Sequence, residues 1–315
     1  MMLEQFPRSL PEFDVSFATE ESCWNYLFKV RWPEGWHCPR CASLRGWRNQ
    51  RALVECAQCG HQTSLTAGTI FHASKKPLRL WFKAIFLLLA QKNGLSAKSL
   101  ANILGLSYPT AWTWLQKLRR CLGARSHAPL SGVVEVDDSY LGGYRQGQPG
   151  RRKGGGNKDL IMVAVEDRGE VMGRARIVAV PDHLSATFTA AVAAHLQPGS
   201  TVITDGLSSY QQLPGNGYDH RPKVIGKDKK GAGEALPRVH RVISLVKRWL
   251  LGTHQGSVSR KHLPAYLEEF EFRFNRRRAT HRTLLFERFV EQAMRSPHEP
   301  YRLIIAAHPQ PVVVT

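Results

Sequence analysis

The chain has 315 residues, 43% of them hydrophobic, which is long enough for two domains, one with a sizeable core. Its longest apolar run, Ala84 to Ala90, is too short to span a membrane, and the acidic, proline-broken start MMLEQFPRSLPEFD does not read as a signal peptide, so a cytoplasmic protein is expected. A formal net charge of +19 attracts polyanions through counterion release and makes nucleic acid the leading partner.

The first piece, to about Ala73, is irregular and rich in Cys, Trp and Gly. Cys38, Cys41, Cys56 and Cys59 form two C-x-x-C pairs separated by fourteen residues, while Cys23 and Cys121 stand alone, so the six cysteines are not a disulfide set. Each pair fits a tight turn that aims two thiolates at one ion, and four thiolates suit a tetrahedral structural Zn²⁺ on a short ribbon. A closed four-cysteine site leaves no open position, so this metal is expected to fold the module and not to catalyse. His37 and His61 flank the cysteines and could substitute as ligands, although they read first as exposed loop residues.

From Pro77 to about Arg125 the pattern is helical, and AKSLANILGLSYPTAWTWLQKLRR reads as a helix-turn-helix. Leu100, Ala101 and Leu104 make the inner face of one helix, Gly105 the turn, and Ala111, Trp114 and Leu118 the anchor of the next. Tyr108, Thr110, Thr113 and Gln116 are expected to face a DNA groove, with Lys117, Arg119 and Arg120 as its basic end.

From Gly132 the text changes to three strands with tight Gly and Asp turns, a helix (SATFTAAVAAHLQ), a fourth strand (STVITD) and further helices. That order is the order of a ribonuclease-H-like α/β fold with a mixed sheet, which makes the whole chain a multidomain α+β protein. Asp137 lies in a strand otherwise built of valines, and Asp205 ends the strand TVIT. Strand ends facing a shared crevice are where α/β folds place ligands, and two carboxylates there suit Mg²⁺ or Mn²⁺ for phosphoryl transfer. Asp138 is the rival to Asp137, although alternation turns it to the other face. Asp167 and Asp182 read as turn and cap residues.

In LPRVHRVISLVKRWLLG, Val239, Val242, Ile243, Val246 and Leu250 form an apolar helical stripe, and His240, Ser244 and Lys247 share a second face with no carboxylate. Two basic stretches fit a phosphate track: GYRQGQPGRRKGGGNK with Arg151, Arg152 and Lys153, and RFNRRRATHR with Arg276, Arg277 and Arg278. A last helix is expected over Leu284 to Arg295. The expected boundaries are an N-terminal segment 1–34, a zinc ribbon 35–73, a helix-turn-helix region 77–125, a catalytic domain 131–288 and a tail 289–315.

VVEVDDSYLGG, VITDGLSSY, VHRVISLVKRWLLGTHQGSVSRKHLPAYLEEFEFRFNRR and the four-cysteine ribbon together resemble transposases of the IS1595 family of insertion sequences, over about Glu20 to Arg288. The resemblance implies a DDE-type recombinase with an ISXO2-like catalytic region on a ribonuclease-H-like fold. It implies cleavage of element ends and joining of the 3′ hydroxyl to target DNA with Mg²⁺, by a multimer on double-stranded DNA, in the cytoplasm at the nucleoid. The family's first two aspartates fall on Asp137 and Asp205. Its third ligand, Glu in many members and Asn or His in others, falls on His240, with Lys247 as the downstream lysine that grips a phosphate. Glu234, in the Gly-rich loop before the helix, is the rival third acid.

Overall fold

The computed structural model describes residues 7–123, 128–142, 158–223, 235–256, 258–279 and 283–306. Packing divides the chain into one unit drawn from Met1–Arg125 and Ala279–Ala306 and a second drawn from Ser126–Arg278.

The first unit opens with α1 (Leu10–Ser16), whose first turn is capped by Ser9, and α2 (Glu20–Arg31), which starts on a reciprocal Thr19–Ser22 capping box. Three short strands follow, β1 (Gly46–Arg48), β2 (Leu53–Cys56) and β3 (Gln62–Ser64), paired antiparallel in that order. Helix α3 (Leu78–Ala90) begins after Pro77, which offers no side-chain cap. Glu20 supplies one from α2, accepting the Leu78 and Arg79 N–H groups at 2.6 and 3.0 Å. Helix α4 (Ala97–Leu104) stops at Gly105, whose φ of +62° is the left-handed conformation that closes a helix, and α5 (Tyr108–Gly123) runs on from there.

The second unit is built on β4 (Val133–Leu141), β5 (Asp159–Arg168) and β6 (Val171–Val180), an antiparallel meander. Then come α6 (Ser185–His195), β7 (Thr201–Thr204) parallel to β4, and β8 (Asp219–Pro222) parallel to β7. The sheet order is β6-β5-β4-β7-β8. Two helices complete the unit, α7 (Pro237–His254) and α8 (Leu263–Asn275).

Both faces of the sheet are buried. Val134, Val136, Met162 and Ala164 pack with Phe188, Val192 and Tyr210 on one side, while Leu141, Ile161, Val163 and Val165 pack with Val239, Val242, Val246, Tyr266 and Phe270 on the other. This is why β5 reads as a near-continuous apolar run. The outer edge of β6 is covered by α8. Asn275 exchanges both hydrogen bonds with Ala175, at 2.7 and 2.9 Å, and Glu271 accepts the Ile177 N–H at 3.2 Å and Arg176 Nη1 at 2.6 Å.

The last elements are α9 (Thr283–Arg295) and α10 (Tyr301–Ala306). They belong to the first unit, so a boundary at 288 divides a helix. The reason is aromatic packing: Phe286 of α9 lies 5.6 to 6.3 Å from the rings of Phe13, Phe17 and Phe82 and completes a cluster that the N-terminal helices begin.

Candidate functional site

The cysteines meet as their spacing requires. Their four sulfurs all lie within 4.8 Å of one another, with Cys38–Cys59 and Cys41–Cys56 at 3.6 Å. Bonds of about 2.3 Å to one tetrahedral Zn²⁺ place sulfurs roughly 3.8 Å apart, so the cluster fits a structural zinc. The Gln58 N–H donates to Cys56 Sγ at 3.4 Å, a backbone contact that favours the thiolate.

In the second unit, alternation along β4 sends Glu135 and Asp137 to the α7 side of the sheet and Asp138 to the α6 side. Asp137 Oδ2 meets His240 Nε2 at 3.1 Å. Strand β7 runs parallel to β4 with Glu135 opposite Ile203, and Asp205 follows its last residue, Thr204, near enough for its carboxylate to act on that of Asp137. Asp205 is half-buried, and its Oδ1 accepts the Leu207 N–H at 3.1 Å in the turn that ends the strand. Burial pushes the Asp137 carboxyl up to about 6, helped by the Asp138 and Asp205 carboxylates and opposed by a backbone hydrogen bond and by His240. Among the described residues the four cysteines are the one group of three or more His, Cys, Asp or Glu side chains that all close to within 4.8 Å, so at least one separation in the Asp137–Asp205–His240 trio is wider than that. Lys247 is exposed, seven residues past His240 on α7. Glu234 lies outside the described residues.

Sequence reasoning passed over Glu135, Tyr210 and the His183 partner of Asp138. Glu135 is buried, and its Oε2 accepts the Arg238 and Val239 N–H groups at 2.8 and 2.9 Å. An acid two residues before Asp137 in a buried strand was the available signal. On the opposite face Asp138 lies 3.9 Å from His183 Nδ1, and His183 Nε2 bonds the Tyr140 hydroxyl at 2.9 Å. Tyr210 is fully buried, its hydroxyl has no hydrogen-bond partner among the described residues, and burial beside the Asp138, Asp137 and Asp205 carboxylates holds it far above its ordinary range. Asp182 Oδ1 accepts the Leu184 N–H at 3.0 Å and the Thr187 hydroxyl at 2.6 Å beside the start of α6, whose cap residue is Leu184 and not Asp182, and Asp167 accepts the Gly169 N–H at 2.8 Å.

The expected DNA-facing residues divide. Tyr108 is exposed at the start of α5, and Thr110 and Thr113 are half-buried with hydroxyls bonded to Ser107 Oγ and Pro109 O at 2.9 and 2.7 Å. Gln116 and Arg119, expected to face outward, are buried at 0% and 1% exposure, because the face of α5 that carries them packs into the unit. Arg119 donates to the Leu95 carbonyl at 3.3 Å, Lys117 to the Ile70 carbonyl at 3.3 Å, and Arg120 pairs with Glu299. After α8, Arg276 and Arg277 lie over the Phe272 and Phe274 rings at 4.0 Å, Arg277 also bonds the Met172 and Gly173 carbonyls, and Arg278 is exposed. Arg151, Arg152 and Lys153 lie outside the described residues.

Residues 18–62 match the transposase zinc-ribbon domain and residues 129–275 the ISXO2-like transposase domain. A relative from Halobacterium salinarum, described as an uncharacterized protein in transposable element ISH50, is 28% identical over 277 residues, covering 82% of this chain and 92% of the relative. These matches place the chain among the transposases of insertion sequences. Within them it belongs to the IS1595 family, carrying that family's zinc ribbon followed by its transposase domain. No helix among the described residues is long and apolar enough to cross a membrane.

Proposed function

We propose that the chain is a DDE-type recombinase that binds the ends of its element, cleaves them and joins the freed 3′ hydroxyl to target DNA. The observation that carries this reading is the contact of His240 on α7 with Asp137 on β4, with Asp205 just past the end of the neighbouring parallel strand β7 and near enough to act on the Asp137 carboxyl. The strand order β6-β5-β4-β7-β8, with only β5 running against its neighbours on both sides of it, supports a ribonuclease-H-like description of the domain.

The donor set fits a divalent ion. Two carboxylates suit Mg²⁺, and the imidazole nitrogen is a better match for Mn²⁺. Asp137 and Asp205 would hold the ion, with His240 as third group. Once bound, it would stabilise the charge that develops on the scissile phosphate and sharpen the attacking hydroxyl. The His240 ring contacts the Asp137 carboxylate at 3.1 Å and so helps to fix its orientation. Lys247, exposed along the same helix, supplies a cation for a phosphate near the cleavage point. Tyr108, Thr110 and Thr113 on α5 and Arg278 after α8 are the described side chains that we assign to DNA contact; α4 and α5 serve as the helix-turn-helix. A working complex of several copies is required to bring two ends together.

The test uses the purified chain, Mg²⁺ or Mn²⁺, and a duplex carrying the element's own terminal repeat. The wild type should cleave and join, and Asp137→Ala and Asp205→Ala should do neither while binding the duplex as before. Tight binding with no cleavage by the wild type overturns the proposal in favour of a DNA-binding protein on an inactive fold. Cleavage without a joined product leaves a nuclease.

A further inference from the structure

The N-terminus of α7 is not capped from within its own chain segment. Leu236 stands at the cap position with no side-chain acceptor, and Pro237, the first helical residue, has no N–H to satisfy. The next two donors, Arg238 N–H and Val239 N–H, both go to Oε2 of Glu135 on β4, at 2.8 and 2.9 Å. The Glu135 side chain is 2% exposed, and its other oxygen lies 3.5 Å from Arg238 Nη1. Arg238 Nη2 in turn reaches Asp167 Oδ1 on β5 at 2.9 Å. A buried carboxylate at a helix start, matched to two N–H groups and the positive end of the dipole, is a strong fixing point.

Its place in the sequence gives it a further consequence. Glu135 and Asp137 are consecutive residues on one face of β4; Val239 and His240 are consecutive residues of α7. The strand therefore touches the helix at two adjacent points, Glu135 on the backbone of 238 and 239 and Asp137 on the ring of 240. A helix that advanced by one residue would rotate by about 100° and move by about 1.5 Å, which would carry His240 away from Asp137. We propose that Glu135 is a positioning residue for the candidate catalytic centre. Its carboxylate fixes the register of α7 against β4 and thereby the approach of His240 to Asp137. This inference rests on the recombinase reading for its catalytic consequence.

Two readouts separate the outcomes. The first is single-turnover cleavage of the terminal-repeat duplex by the full chain, with duplex affinity measured alongside. The second needs no activity: Mn²⁺ alone is titrated while the His240 imidazole resonances, identified by their loss in His240→Asn, are watched for paramagnetic broadening. Glu135→Ala should slow cleavage roughly tenfold to a hundredfold and raise the Mn²⁺ needed for half-broadening by at least about tenfold, with duplex affinity unchanged. Glu135→Gln, which keeps the one oxygen that accepts both N–H groups, should restore most of both. Glu135→Asp keeps the charge but shortens the arm, should behave like the alanine variant, and carries the test if that variant does not fold. Wild-type broadening and cleavage with an indifferent Glu135→Ala and Glu135→Asp overturn the positioning role alone. Broadening that shifts as expected in a wild type that never cleaves overturns the recombinase reading and keeps the positioning role. No broadening in the wild type overturns both.

Discussion

Asp137 on β4 and His240 on α7 are joined by a 3.1 Å contact between a carboxylate oxygen and an imidazole nitrogen. An acid at the helix position would bring a third negative charge to the ion that Asp137 and Asp205 would hold; neutral imidazole brings none, and Mg²⁺ prefers oxygen. His240→Ala should therefore lower cleavage by roughly tenfold or more, whereas His240→Glu should keep cleavage in Mg²⁺ and cost stability in metal-free protein, where two carboxylates then face each other. Cleavage rates and chelated melting temperatures check both halves. An unchanged His240→Ala would remove His240 from the site.

The same carboxylate sets a pH dependence. Asp137 titrates near 3.8 when unfolded and at about 6 in the folded, metal-free chain, mainly because burial disfavours its charge. The folded state then holds the proton more tightly, so stability falls as pH rises between those values, by roughly 3 kcal/mol in all. Asp137→Asn removes the titration. In chelator it should melt above the wild type at pH 7.5, and the gap should close as pH drops toward 4. A gap that stays constant with pH would mean that Asp137 is not the group responsible.

Much of this arrangement was legible in the sequence because the signals were local. Two C-x-x-C pairs need only their own turns to converge, and the apolar runs of β4 and β5 announce strands buried on both faces. Asp137 stood out among the valines of β4 and Asp205 at the end of TVIT. What stayed hidden depends on partners distant in sequence. Strand β8, DHRP, carries no apolar pattern and exists because β7 pairs with it. Gln116 and Arg119 look like surface residues of a basic helix, yet they are buried because the face of α5 that carries them packs into the unit. Glu135 had no visible purpose until α7, a hundred residues later, presented two unsatisfied N–H groups to it.

Zinc should be required for the ribbon and not for the metal site proposed in the second unit. The purified chain is expected to hold one Zn²⁺, and Cys38→Ser or a strong chelator should release it and unfold residues around β1 to β3, since the three short strands have little core of their own. Zinc release, read with a chromogenic chelator, should coincide with loss of amide protection across 38–64 while β4 and β5 keep theirs. Loss of protection in both regions together would show that the metal holds more than the ribbon.

Arg176 and Glu271 are a buried pair, 4% and 11% exposed at their side chains, and Glu271 also accepts the Ile177 N–H on the open edge of β6. Glu271→Ala strands a buried guanidinium and a strand N–H together, for a cost of about 3–5 kcal/mol. By contrast Arg221→Ala breaks a pair, Asp219–Arg221, whose members are 48% and 68% exposed, and should leave stability nearly unchanged. Replacing both Arg176 and Glu271 with apolar residues of similar size should recover part of the loss, because no charge is then left unpaired. It should not recover all of it: the Ile177 N–H loses its acceptor in either case, and so the edge of β6 stays open to pairing with another chain. Urea unfolding measures the first two effects, and the concentration dependence of aggregation measures the third. A double variant as soluble as the wild type would mean that Asn275 alone suffices to cover the edge.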